Sequence, residues 1–120
     1  QPRSRGLGDV YKRQVYYDEL RRRIEARGTE NFPAAGGRRL YGELTMAITV
    51  NHDGKVLETE VIQSSGQAAL DSRAQAIVRS LTFGQFNTGM RQRADQIVVV
   101  SHFKFTRDET LRTRVSGAGG

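Results

Sequence analysis

Apolar and polar residues alternate without interruption along GELTMAITVN, residues 42–51, and this alternation strongly limits the possible folds. The apolar residues share one face: Leu44, Met46, Ile48 and Val50. A period of two is typical of a half-buried β-strand. Asp53 and Gly54 follow, and both tolerate the backbone conformation of a tight turn. The segment therefore predicts the first strand of an antiparallel hairpin.

The return run of this hairpin, KVLETEVIQSS at residues 55–65, is less regular. Val56 is out of phase with Thr59 and Val61. An extra residue in one strand of an antiparallel pair produces such a phase change. We therefore expect a β-bulge near Leu57 and Glu58.

Two segments show the three- and four-residue apolar spacing that is typical of amphipathic helices. The first covers residues 15–26, with Gly28 placed as a helix C-cap. Its apolar stripe consists of Tyr17, Leu20 and Ile24. The second is QAALDSRAQAIVRSLTF, residues 67–83, with Ser65 as a possible cap. Its stripe consists of Leu70, Ala74, Ile77 and Leu81.

A further alternating segment, QIVVVSHFKFTR, occupies residues 96–107 and predicts the last strand. One face holds Ile97, Val99, Ser101, Phe103 and Phe105, and the other holds Val98, Val100, His102 and Lys104. The polar tail, residues 108–120, ends in SGAGG, and we expect it to be disordered. The order helix, strand, strand, helix, strand predicts an α+β fold, a small two-layer domain with a three-stranded antiparallel sheet.

The composition offers little chemistry. There is no Cys, which excludes disulfides and thiolate metal sites. The only histidines are His52, in the hairpin turn, and His102, in the last strand, and a zinc site usually takes three or four protein ligands. No nucleophile with a base and no paired carboxylates stand out. We therefore expect no enzyme activity, no metal and no cofactor.

The first residues have an unusual origin in our interpretation. DVYKRQ, residues 9–14, back-translates to GATGTGTATAAGAGACAG, which resembles the transposon end used to prepare sequencing libraries. We therefore expect residues 1–14 to be a non-native, adaptor-derived segment, with a natural basic arm as the alternative. Without this segment the formal net charge falls from +6 to +3, which argues against a nucleic-acid-binding domain.

Several stretches in order resemble the family of TonB C-terminal domains. Residues 31–56, NFPAAGGRRLYGELTMAITVNHDGKV, resemble its aromatic-Pro pair, first strand and Asp-Gly turn. VIQSSG followed by LDSRAQAIVRSLTF resembles its strand exit and helix, and ADQIVVVSHFKFTR resembles its final strand. The resemblance extends from about Tyr17 to Arg107, so we expect one TonB/TolA C-terminal-like domain at residues 15–107.

The resemblance implies a periplasmic energy transducer, anchored by an inner-membrane helix and a Pro-rich linker ahead of Val15. Such domains work with an ExbB/ExbD-like proton-driven motor and bind a TonB-box-like segment of outer-membrane receptors that import iron chelates or cobalamin. In the family the last strand receives this peptide by strand addition. The implied peptide-binding residues are Gln96, Ile97, Val98, Val99, Val100, Ser101, His102, Phe103, Lys104 and Asn31.

The last strand suits this role because residues 96–105 contain no Pro, and an open sheet edge presents unpaired main-chain groups. On this basis Val99→Pro removes a donor and weakens peptide binding. Several alternatives stay open. In one alternative the tail or a second copy of the domain covers the last strand, and the family also forms homodimers by strand exchange. In another alternative the chain is a TolA-like envelope-integrity module, or a domain appended to a sensor or peptidase.

Overall fold

The computed structural model describes the backbone of residues 2–117 and the side chains of residues 13–117. The elements are α1 (Pro2–Glu30), β1 (Ala34–Ala35), β2 (Arg38–Arg39), β3 (Gly42–Asn51), β4 (Val56–Gln63), α2 (Ala68–Arg79), α3 (Thr88–Arg93), β5 (Gln96–Phe105) and β6 (Leu111–Gly117). The helices and the antiparallel sheet form an α+β domain, so the predicted fold class is confirmed.

The main sheet has four antiparallel strands in the order β4–β3–β5–β6, and β1 and β2 form a separate two-stranded sheet. The predicted alternation of β3 is confirmed, since its apolar residues are at most 1% exposed: Leu44, Met46, Ile48 and Val50. They belong to one core with residues of α1, α2 and β5. The helices therefore cover one face of the sheet.

The predicted turn and bulge of the β3–β4 hairpin are both present. Gly54 has φ +92°, and a Cβ at this position would lie 2.0 Å from the carbonyl oxygen of Phe83, so the turn requires glycine. Val50 pairs with Val56 and Thr49 pairs with Glu58, which leaves Leu57 as the extra residue of a β-bulge. A second register shift, between Thr45 and Met46, lies at the far end of β4.

Helix α1 is longer than predicted and continues past Gly28 to Glu30. Gly28 is therefore not a C-cap. It is a contact residue, because a Cβ at Gly28 would lie 2.2 Å from Leu111 Cδ2. Among the described side chains of α1, the large buried apolar ones are Tyr16, Leu20 and Ile24, so Tyr16 takes the place predicted for Tyr17, which is only partly buried. The helix is continuous across residues 14 and 15, and an adaptor origin of residues 1–14 stays a prediction.

Helix α2 buries Leu70, Ala74 and Ile77 of the predicted stripe, but it ends at Arg79, so Leu81 lies outside the helix and is only partly buried. The N-terminus of α2 also differs from the prediction. Gln67 occupies the N-cap position, whereas Ser65 Oγ accepts a hydrogen bond from Gln67 N at 3.1 Å and donates to Asp71 Oδ1 at 2.7 Å. Burial raises the pKa of Asp71, but hydrogen bonds from Ser64 and Ser65 outweigh it and hold this pKa below its usual value. The serines thus anchor the β4–α2 connection.

The largest correction concerns the end of the chain. Residues 111–117 form β6, so the sheet has four strands instead of three, and the predicted disorder is wrong for this part of the tail. Leu111 is buried, and Thr113 and Val115 lie on the same face, partly buried. This alternation buries apolar surface against α1 and the core, which compensates for the ordering of a polar segment. Residues 118–120 of the predicted tail lie outside the described residues.

No helix among the described residues is both long enough and apolar enough to cross a lipid bilayer.

Candidate functional site

The predicted site residues of β5 divide between the two faces of the sheet. Val99, Ser101 and Phe103 are fully buried on the helix-covered face. Val98, Val100, His102 and Lys104 lie on the opposite face and are partly or largely exposed. The side chains that a bound peptide could meet on the open face are therefore those at the even positions.

The main chain of β5 is paired on both sides. β3 pairs with all of it, from Gly42 opposite Phe105 to Asn51 opposite Gln96. β6 pairs with the other side, from Leu111 opposite Phe105 to Gly117 opposite Val99. The expectation that β5 is an open edge is therefore wrong for residues 99–105 in this conformation. The physical reason is that β6 supplies the missing partner strand from the same chain.

The hydrogen-bond pattern shows which β5 groups point toward β6. Thr113 N donates to Glu25 Oε2 at 2.8 Å, so this amide points away from β5. Antiparallel pairs alternate between hydrogen-bonded and non-hydrogen-bonded residues. Thr113 is opposite Phe103, so Phe103, and with it Val99, directs its main-chain groups toward β3.

The main-chain groups that face β6 consequently belong to Val100, His102 and Lys104. This corrects the premise behind Val99→Pro, because that substitution removes a donor to β3 and damages the centre of the sheet. The sequence does not show whether the odd- or the even-numbered residues of β5 direct their main-chain groups toward β6, because this depends on which partner strand takes the first hydrogen bond.

Helix α1 holds β6 through polar contacts to its outer edge. Leu111 N donates to Thr29 Oγ1 at 3.1 Å, and Thr113 N donates to Glu25 Oε2. Thr113 Oγ1 also contacts Glu25 Oε2, at 3.3 Å. The Leu111 side chain packs against Gly28. These α1 and β6 residues escaped the sequence analysis, although the alternation of Leu111, Thr113 and Val115 with arginines was a detectable strand signal.

The turn between β5 and β6 is fixed at three points. Arg39 pairs with Glu109, and the Arg107 guanidinium lies 4.9 Å from the centre of the Tyr41 ring. Thr106 N donates to Thr110 O at 3.0 Å. Glu109 has φ +61°, a left-handed conformation that is unusual for a non-glycine residue. These contacts set the direction in which β6 returns along β5.

A groove of about 300 Å³ lies where β5 extends past the described end of β6. Gln96, Ile97 and Val98 line one side of it, and Tyr17, Met90 and Arg93 are among its other walls. Gly117 closes the end next to β6, and a Cβ there would lie 2.5 Å from Tyr17 Oη. The first three residues of the predicted site thus border a recess next to the end of β6.

His102 has polar partners on the open face. Its Nε2 lies 2.8 Å from Glu43 Oε1, and its Nδ1 lies 3.1 Å from Thr45 Oγ1. The hydrogen bond from His102 lowers the pKa of Glu43. His52 lies in the hairpin turn, where its main-chain N–H donates to the main-chain oxygen of Asp95 at 2.9 Å. No group of three potential metal ligands is found among the described residues.

The remaining predicted site residue, Asn31, does not lie beside the predicted site residues of β5. It follows the end of α1, where its N–H donates to Arg27 O at 2.8 Å. The neighbouring Phe32 packs edge-on against Phe105, with ring centroids 5.6 Å apart. Asn31 lines a separate recess between α1 and α2 with Arg27 and Arg73. It therefore lies near the last residue of β5 and apart from Gln96–Val98.

Comparison with known proteins gives one match. The family model described as the C-terminal domain of the Gram-negative bacterial TonB protein matches residues 32–106. Neither the curated proteins nor the solved structures that were compared with the chain include a match. The matched region contains β3, β4, α2 and β5, and it ends before β6.

Proposed function

We propose that this chain, which belongs to the family of Gram-negative TonB protein C-terminal domains, binds an extended segment of an outer-membrane receptor on β5, in the place that β6 occupies. The family consists of non-catalytic periplasmic domains that transduce energy and interact with outer-membrane receptors. In this proposal the chain itself is not an enzyme. Its peptide-binding surface is the main chain of β5, exposed when β6 leaves.

The observation that supports this proposal most strongly is the position of β6. It pairs with residues 99–105 in regular antiparallel register, so the outer side of β5 already accepts an extended chain. Within β6 only Leu111 is fully buried, and the other residues are partly or largely exposed. A strand with one buried side chain has little apolar burial to hold it, and β6 can therefore exchange with another strand of suitable shape.

The energetics favour a weak, reversible complex. Each main-chain hydrogen bond contributes about 1 kcal/mol net, and ordering the peptide costs part of this gain. The peptide must also displace β6, and a binding-competent state that is only partly populated weakens the apparent affinity in proportion. A contact of this kind can form and break in each transport cycle.

The same proposal includes the finer properties expected of a complete transducer. An upstream inner-membrane helix would connect this domain to an ExbB/ExbD-like motor, and the receptors served would import iron chelates or cobalamin. The domain would then transmit force from the motor through β5 to the bound receptor segment.

A reversible lock on β6 tests the proposal. Ser101 and Val115 are paired across β5 and β6, and their pair is of the non-hydrogen-bonded type, in which side chains approach closely. The chain has no cysteine, so Ser101→Cys with Val115→Cys introduces a single possible disulfide. Ser101 Oγ is buried without a hydrogen-bond partner among the described residues, so its replacement removes no hydrogen bond between them.

We expect the reduced double variant to bind peptides of about eight residues from the periplasmic segments of outer-membrane receptors, since eight residues span the β6 position. Oxidation should abolish binding, and reduction should restore it, as measured by NMR shifts of Val100, His102 and Lys104 amides. The Ser101→Cys single variant, treated with the same oxidant, is the control. Equal binding by the oxidised and reduced double variant would contradict the proposal.

A further inference from the structure

The face of the sheet that the helices leave uncovered carries an unusual charge pattern. Thr59 of β4 is buried and accepts a hydrogen bond from Gln75 of α2, so its neighbours Glu58 and Glu60 point to the open face. From the register, the open face includes Glu58, Glu60, Gln63, Glu43, Thr45, Ala47, Thr49, Asn51, Gln96, Val98, Val100, His102, Lys104, Arg112, Arg114 and Ser116.

Apart from Glu43, which lies beside Lys104 and His102, the charges occupy opposite corners of this face. Glu58 and Glu60 form an acidic corner on β4, at the level of Thr49 and Ala47. Lys104 lies opposite Arg112, and His102 lies opposite Arg114, which forms a basic corner at the other end of β5 and β6. Ala47, Val98 and Val100 lie between the two corners, and Val98 is 41% exposed.

The acidic corner has no ion-pair partner among the described residues, whereas the basic corner is partly compensated, because His102 Nε2 lies 2.8 Å from Glu43 Oε1. No ion pair within the described part of the chain includes Glu58, Glu60, Arg112 or Arg114. Lys104 and Arg112 are like charges directly opposite each other on neighbouring strands, an arrangement that is unfavourable in an isolated sheet. Glu58, Glu60, Arg112 and Arg114 thus lack an ion-pair partner among the described residues, and opposite charges from outside would stabilise the two corners.

We infer that the occupant of this face is a second copy of the chain, packed face to face around a two-fold axis. An axis in the plane of the interface, perpendicular to the line that joins the two charged corners, places each acidic corner on the basic corner of the other copy. The contact is then isologous, as in most homodimers. The strands of the two sheets cross at a large angle, which is one of the two usual modes of sheet packing.

The size of the face indicates a weak dimer. Four strands at about 4.8 Å spacing and about seven residues of each strand give a patch of roughly 19 by 23 Å per copy. Two such patches bury on the order of 1,000 Å², at the low end for specific interfaces. Opposite charges at both ends give the association its orientation and its salt dependence. This inference does not rest on the proposed peptide binding.

A charge exchange between the corners tests the inference by sedimentation equilibrium of the 120-residue chain. We expect the wild type to dimerise at about 1 mM protein in about 50 mM salt, and to dissociate in about 500 mM salt. Glu58→Lys with Glu60→Lys, and separately Arg112→Glu with Arg114→Glu, should each lower the association constant about tenfold or more. An equal mixture of these two variants should form a heterodimer, because every corner again meets its opposite.

Two controls separate this result from other causes. Arg73→Glu with Arg79→Glu makes the same charge change on exposed residues of α2 and should leave dimerisation of the chain unchanged. Val100 lies close to the proposed axis, so Val100→Cys should be joined to its own copy by a thiol crosslinker of about 8 Å, since packed sheets lie about 10 Å apart. Ser72→Cys, at an exposed position on α2, should not be crosslinked to its own copy by the same reagent.

Three outcomes would overturn the inference. The first is that the wild-type chain stays monomeric at about 1 mM in low salt, a concentration at which even weak interfaces associate. The second is that each charge-reversed variant, with a wild-type circular dichroism spectrum, still dimerises alone, which would indicate another interface such as exchange of β6. The third is that Val100→Cys is not crosslinked under conditions in which the wild type is dimeric, and this outcome does not depend on how the charge variants fold.

Discussion

The two edges of the main sheet are protected in different ways. At the β4 edge the protection is irregularity and charge, since β4 has two register shifts and carries Glu58 and Glu60, while Leu57 and Ile62 stay more than half exposed. At the β6 edge the strand is regular, and α1 satisfies two of its outward main-chain donors, the amides of Leu111 and Thr113, through Thr29 and Glu25. Both are recognised ways to prevent strands of other molecules from adding to a sheet.

The difference has a functional meaning. A bulged edge is a poor template for a partner strand, because the spacing of its main-chain groups is interrupted. A regular strand covered by a few side chains, in contrast, leaves a complete template behind when it departs. The regular register of β5 with β6 is therefore the property that makes this side of the sheet the better candidate for peptide addition.

The largest expected effect lies on the β4 side, at Gly54. Gly54→Ala places a Cβ 2.0 Å from Phe83 O and forces a side chain into φ +92°. Because the nearest atoms are backbone atoms of Phe83 and Gly84, which cannot move aside as a flexible side chain can, we expect a loss of about 3 kcal/mol or more in the free energy of unfolding. Urea denaturation measures this, and a loss below about 1 kcal/mol would show that the turn relaxes easily.

On the β6 side the corresponding test is Gly28→Val. The added side chain meets Leu111, whose Cδ2 lies 2.2 Å from a Cβ at this position, and should push β6 away from α1. We expect a loss of about 2 kcal/mol in the free energy of unfolding. Hydrogen exchange should speed up at Val100, His102 and Lys104 more than at Val99 and Phe103, and equal acceleration would contradict the separation of the two sides of β5.

A smaller effect is expected from the polar contacts of β6. Glu25→Ala removes the acceptor of Thr113 N and should cost about 1 kcal/mol of stability. Glu19→Ala is a matched control, because Glu19 pairs with Arg23 on the same helix and, within the described part of the chain, forms no hydrogen bond or ion pair with β6. Hydrogen exchange of the Thr113 amide should accelerate in the first variant alone. The same exchange rate in both variants would show that Glu25 does not hold β6.

The smallest effect concerns pH and the exit of β4. Since the pKa of Asp71 is lowered below 3.8 in the folded state, its ionised form stabilises the fold above the unfolded value, and this stabilisation is lost as pH falls through the folded pKa. Asp71→Asn should therefore lower stability at pH 7 and flatten the fall between pH 5 and pH 2. Thermal unfolding across this range measures it, and parallel curves for variant and wild type would contradict the role of Asp71.

The sequence alone predicted the β4 side better than the β6 side. Local signals sufficed for the Gly54 turn and the Leu57 bulge, because turn chemistry and a phase change are written in neighbouring residues. β6 was missed because its one large apolar residue, Leu111, stands among arginines, and its stability depends on α1, some eighty residues earlier. Gly28 was misread for the same reason, since its close contact with Leu111 is not visible in the helix sequence.

The direction of the main-chain groups of β5 was also beyond the sequence. Alternation identified which side chains of β5 face the core, from Val99 to Phe103. It could not show which amides face β6, because that depends on the register of a strand that was not predicted. Candidate side chains were thus easier to predict than candidate main-chain donors.

Two of the basic groups of the open face, Arg112 and Arg114, belong to β6 and leave the sheet when β6 does. While β6 is paired, the formal charges of Lys104 and these two arginines balance those of Glu43, Glu58 and Glu60. Once β6 departs, the surface that remains is acidic, and two such surfaces repel each other. Under the two proposals made above, binding of a receptor segment and association with a second copy of the chain are therefore mutually exclusive, and a rising concentration of either partner should displace the other.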